Sequence, residues 1–377
     1  MQRFSLFLVF IVLSGSAAAD DPVCSRSDVV FCSEFEEGDK AIWDDYDGNP
    51  DTENQILQAP GPFCLAGNHV MRLRVPPGSG ASDLVKELPG SYNRLYARWY
   101  QQWEPGYDFS ARNHGSGLHA GNRNLLGVSG QRPDGDDRFS SGIEPLAGND
   151  SLTGRLNLYS YYRGMYQDCV DPNGQCWGDH FPCMIDEGYY CEKPEHRETI
   201  MPPRMETGRW YCLEIMIDAG TPVLNDSEAD GYQNFFIDGV AYGPWEHLWH
   251  RTTDNLQLTI LWLLLYHHAD HSEEGILLDN VVVAQERIGC LWGILFRGSV
   301  QDLFPGWKTP ALPLTANTDD DTPPFPVAVA LPGIVSDTVP TGDALVLYRL
   351  GLPCDVWGGN RLRAVKLPGG EVELHLN

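Results

Sequence analysis

Between Val29 and Ala284, apolar and polar side chains change places at every second position in a succession of short runs. That is the period of a half-buried β-strand, not of a helix. Arg94–Trp103, RLYARWYQQW, is the clearest run. One face would carry Leu95, Ala97, Trp99 and Gln101; the other would carry Arg94, Tyr96, Arg98, Tyr100 and Gln102. Gly154–Gly164, GRLNLYSYYRG, reads the same way. Leu156 and Leu158 fall on one face, and Asn157, Tyr159 and Tyr161 on the opposite one. Two phenols and an amide in line can hold a sugar ring or move protons. The same pattern also suits a strand whose tyrosines only pack.

Further strands are predicted at HVMRLRV before Pro76-Pro77, at Phe139–Glu144, Trp210–Asp218, Gln257–Tyr266 and Gly275–Ala284. Ser82–Leu88 is a polar-edged segment that Pro89-Gly90 should end. Asp238-Gly239 between apolar pairs is a hairpin signal. On the face of Phe139–Glu144 that holds Ser140 lie Arg138, Gly142 and Glu144. Many short strands with glycine and proline turns predict an all-β antiparallel β-sandwich over residues 20–289.

The flanks differ. Met1–Ala19 has the charge, apolar core and Ala17-Ala18-Ala19 site of a signal peptide. The expected protein is secreted, extracellular or periplasmic. Residues 290–340 are rich in proline and include a triple aspartate at 319–321, as in a linker. Residues 341–377 hold two strand-like runs, Ala344–Leu350 and Glu371–Leu376, a small β-appendage with no functional signal.

Ten cysteines suit an oxidising compartment. Cys169, Cys176, Cys183 and Cys191 lack the paired spacing of a zinc site and are expected to form disulfides in one long excursion. Cys212 lies in a strand, as a buried thiol or as the partner of a loop cysteine. The net charge of −26 argues against nucleic acid and anionic membranes as partners. Residues 94–163, however, hold eight arginines, no lysine and seven acids, so the acidity lies elsewhere and an anionic sugar is not excluded.

The motifs YARWYQQWEPGYDF, HGSGL, FSSGIEP, LNLYSYY, FFIDGVAYGPW, RTTDNLQLTILWLLLYHH and LLDNVVVAQERIG occur in that order. Together they resemble the family 14 polysaccharide lyases and their secreted relatives, over roughly residues 30–289. The resemblance implies a concanavalin A-like jelly roll with a concave groove. It also implies cleavage of a uronate-containing polysaccharide by β-elimination, without a cofactor. The family's lysine, four residues before a glycine-leucine leucine, falls on His114. Its serine and arginine fall on Ser140 and Gly142, so the arginine is missing. Its two tyrosines fall on Tyr159 and Tyr161.

The expected catalytic set is therefore His114, Ser140, Tyr159 and Tyr161, with Asn157, Arg138 and His119 binding substrate. Elimination requires a group that holds the carboxylate, a base for the C5 proton and an acid for the leaving oxygen. Histidine suits the first two roles near neutrality, and tyrosine suits the acid. Arg138 lies four residues from Gly142, roughly 13 Å along a strand, and would have to reach along the groove to compensate.

The main rival reading is a non-catalytic carbohydrate-binding module on the same sandwich. A glycoside hydrolase lacks its cluster of acids, since Glu144 stands alone on its strand. No metal is expected. The histidines of Tyr266–His271 suit an exposed loop equally well, and the calcium-loop start at Asp226 fails at Ile237.

Overall fold

The computed structural model describes residues 21–290, except 60, 63–68, 79, 112, 146–149, 166–174, 184–200 and 269–272. It also describes strands 294–298, 362–366 and 372–376. The expected signal peptide, Cys169, Cys191 and most of the expected linker lie outside these residues.

The protein is an antiparallel β-sandwich of the jelly-roll type, with no α-helix among the described residues. The eight-stranded sheet runs Asp179–Phe181, Leu156–Tyr161, Arg138–Pro145, Gly117–Gly121, Leu258–His267, Gly80–Tyr92, Asp45–Asp47, and Asn113–His114 pairs beside Gly117–Gly121 on Leu258–His267. The nine-stranded sheet is centred on Arg94–Trp103, flanked by Trp210–Asp218 and Glu274–Ala284.

The alternation explains the core. Leu95, Ala97, Trp99, Leu213, Ile215 and Leu278 of one sheet meet Leu118, Ile143, Leu156, Leu158, Leu261 and Leu263 of the other. Burying such side chains supplies about 1.5–3 kcal/mol each relative to exposure. The opposite face of the eight-stranded sheet is left for the polar and aromatic residues, and there the groove opens.

Two details depart from the sequence reading. The polar-edged segment at Ser82–Leu88 is part of a strand that runs through Pro89-Gly90 to Tyr92. Its register slips in that stretch, with Glu87 opposite Ile260 but Tyr92 opposite Leu258. The proline therefore sits at an irregularity, where a missing N–H costs the ladder little. The second departure is Cys212, which is neither a free thiol nor bonded to the excursion: it bonds Cys290. Alternation turns Cys212 and Glu214 away from the core. Residues 288–290 cross over them, with the Ile288 and Gly289 amides donating to the Glu214 carboxylate. Asp238 and Gly239, both with positive φ, form the expected two-residue turn between paired Ile237 and Val240.

Cys24 and Cys32 form a second disulfide. Cys176 and Cys183 are each in a disulfide as well. The described part of the excursion packs beside the tyrosine strand: Asp179–Phe181 pairs with Leu158–Ser160, and the Cys176 amide donates to the Gly130 carbonyl. Val372–Leu376 pairs with Leu362–Lys366 and Ile294–Gly298 in a separate three-stranded sheet. The expected partner at 344–350 is outside the described residues.

Candidate active site

The register of four adjacent strands sets the site. Tyr161 lies opposite Ser140, Tyr159 opposite Gly142 and Asn157 opposite Glu144. Ser140 in turn faces His119, and Gly142 faces Gly117. Gly117 faces Trp262. Directly paired residues share a face. The groove face therefore carries a row running from Tyr159 over two bare glycines to Trp262.

The glycines are required there. A Cβ on Gly117 would lie 1.9 Å from the Ser141 carbonyl oxygen, and one on Gly142 would lie 2.8 Å from the Gly115 carbonyl oxygen. The strands approach too closely for side chains. Gly142→Arg, which would restore the arginine of the resembled family, is expected to destabilise the protein by about 1–3 kcal/mol without raising activity. A thermal melt at or above that of the unaltered protein would overturn this.

His114 comes to the same face. Its ring stacks on Tyr159, with centroids 5.2 Å apart and planes 8° apart, and on Tyr266 at 5.5 Å. Its Nδ1 is 2.7 Å from Glu144 Oε2, and its Nε2 is 3.1 Å from His268 Nε2. The Tyr159 and Tyr161 hydroxyls are 3.1 Å apart. The Gly178 amide donates to Tyr159 Oη and the Gly130 amide to Tyr161 Oη. His180 stacks on the ring of Tyr159 with centroids 4.7 Å apart.

These surroundings sort the protons. Burial, then the neighbouring Tyr161 and the Glu144 charge, push the Tyr159 phenol far above its ordinary value. Tyr159 thus keeps its proton and is suited to donate it. Burial also raises Glu144, while His114 pulls it back down.

The other sequence-predicted residues take different places. Ser140 is half-buried, one pair from His119 and from Tyr161. Asn157 is fully buried, with its amide 2.5 Å from His180 Nδ1, so it orients an imidazole. Burial lowers the His119 pKa to about 4, so this ring is neutral beneath the groove. Arg138 does not reach along the groove, because its guanidinium donates to Asp137 at 2.6 Å and to the Gln131 carbonyl at 2.7 Å.

Sequence reasoning missed Tyr266, His180 and His268 as members of the cluster, and it read Glu144 only as an acid standing alone on its strand. The YHH run was visible, but its two histidines go different ways. His267 is buried with its Nε2 2.9 Å from Glu274 Oε2, while His268 turns to His114. Asp270 and His271 lie outside the described residues.

Beyond Trp262 the face opens into a groove of about 1170 Å³, lined by Asp45, Asp47, Asp83, Glu87 and Arg123. It is three strand spacings from Tyr159, roughly 14 Å. The Trp262 indole donates to Asp83 at 2.7 Å, and Arg123 pairs with Asp45 and Glu87.

Solved structures similar to this chain include lyases. The alginate lyase vAL-1 from Chlorella virus is 13% identical, with a TM-score of 0.47, over 68% of this chain and 100% of the viral one. The PL-14 alginate lyase from Aplysia kurodai is 13% identical, with a TM-score of 0.44, over 63% and 88%. The endo-β-1,4-glucuronan lyase from Trichoderma reesei is 14% identical, with a TM-score of 0.44, over 68% and 96%. No family model and no curated protein matches the sequence.

Proposed function

We propose that this is a secreted polysaccharide lyase that cleaves a uronate-containing chain by β-elimination. The observation that carries the reading is the contact of His114 with Tyr159, whose hydroxyl meets that of Tyr161, on the outer face of the eight-stranded sheet. An imidazole beside two hydrogen-bonded phenols supplies the three groups that elimination needs. His114 steadies the carboxylate while charge develops at C5. Tyr159, held protonated, gives its proton to the leaving glycosidic oxygen. Tyr161, whose oxygen accepts from the Gly130 amide and touches the Tyr159 hydroxyl, takes the C5 proton as a phenolate and passes it to the Tyr159 oxygen once the leaving group has gone. The signal-like Met1–Ala19 and the disulfides support export.

The test is a screen of polymannuronate, polyguluronate and glucuronan for unsaturated ends by ultraviolet absorbance. Product from at least one polymer is expected. No product from any uronate polymer, with measurable binding to one of them, would leave the second reading. That reading is a carbohydrate-binding module without turnover, and it is favoured by Gly142, where no arginine can stand.

A further inference from the structure

We propose that Glu144 is a positioning residue that holds His114 as an imidazolium, and that this cation replaces the arginine missing at position 142. The inference rests on the lyase reading and assigns the group that holds the uronate carboxylate.

Three observations carry it. First, no side chain fits at Gly142, so a charge at that point must come from a neighbour. Second, Glu144 stands two residues along the same strand face, nearly buried, with its carboxylate on His114 Nδ1. An ionised carboxylate there accepts the Nδ1–H and favours the cationic ring. Third, the ring lies against the faces of Tyr159 and Tyr266, whose π-electrons attract a cation.

The contact with His268 gives the direction. With Nδ1–H given to Glu144, one proton lies between His114 Nε2 and His268 Nε2. In the imidazolium His114 donates it, and His268 accepts. A uronate carboxylate entering the groove is a better acceptor than a neutral imidazole and takes that place. Among the described residues, Glu144, His268, Tyr159 and Tyr266 face His114, with Tyr161 and His180 against Tyr159.

Arginine remains charged throughout the working pH range, whereas imidazolium does not. Uronate affinity should therefore be full at acid pH and should be lost as pH rises through the titration of the ring.

The experiment follows both the ring and the ligand. His114 is observed by ¹⁵N and ¹H imidazole resonances, and binding of a mannuronate and a glucuronate tetrasaccharide is measured by calorimetry from pH 5 to 9. In the unaltered protein both His114 nitrogens are expected to be protonated at pH 6, and affinity is expected to fall at least 10-fold across the titration. Glu144→Gln, nearly isosteric, should move the titration of the ring to lower pH by about one unit. It should move the affinity profile by the same amount. His114→Lys should hold affinity constant to pH 9. A ring titration unmoved in Glu144→Gln overturns the role of Glu144, whatever the activity. A neutral His114 ring at pH 6 in the unaltered protein does the same without any variant. A shifted titration with no uronate binding overturns the carboxylate role and the lyase reading together.

Discussion

Tyr161→Phe is expected to lower kcat by roughly 10²-fold or more while leaving glycan affinity nearly unchanged. The variant removes one oxygen. The ring is largely buried in the core cluster and remains in place. What disappears is the hydroxyl 3.1 Å from that of Tyr159, together with its acceptance of the Gly130 amide. If that oxygen takes the C5 proton, the loss falls on the transition state and appears in kcat. In a pure binding module the same change would weaken affinity by only about 0.5–1.5 kcal/mol, one ordinary hydrogen bond. Rates and oligouronate affinities of the variant and the unaltered protein separate the two. A variant that keeps more than about a tenth of the unaltered kcat would remove Tyr161 from the chemistry.

How much of this was legible can be argued residue by residue. Alternation within one strand is local, so Tyr159 and Tyr161 on the face opposite Leu156 and Leu158 follow from sequence alone. Asp238-Gly239 carries its own turn chemistry. The His114–Glu144 contact is different. It depends on where Asn113–His114 lies beside Arg138–Pro145, and no local pattern encodes the register between strands. The motifs placed both residues near the groove, but only the fold shows that the acid read as standing alone on its strand is covered by an imidazole. His268 escaped for a related reason. It lies just past the end of Leu258–His267, where alternation no longer says which way a side chain turns. Arg138 shows the converse: its face was read correctly, but its neighbours Asp137 and Gln131 hold it.

Asp21→Ala is expected to destabilise the protein by about 3–5 kcal/mol. The same alternation that builds the core leaves Arg98 on the outer face of the nine-stranded sheet, opposite Glu214 and Val282. Solvent does not reach it there. The segment at Asp21–Arg26 and the run to Cys290 cover that face, and the side chains of Arg98 and Asp21 are both fully buried in a direct ion pair. The Asp21 amide is tied to Glu34, and Tyr100 Oη lies 3.4 Å from the guanidinium. Truncating Asp21 leaves the guanidinium in a dry site without its direct ion-pair partner. The expected loss in melting temperature is roughly 10 °C. The double variant Asp21→Ala with Arg98→Met removes the stranded charge and is expected to recover part of that loss, because unpaired burial and not the absent attraction is the main cost. Thermal melts of the three proteins decide it. A double variant less stable than Asp21→Ala would show that the guanidinium stabilises this face through its other contacts, and the ion-pair account would fail.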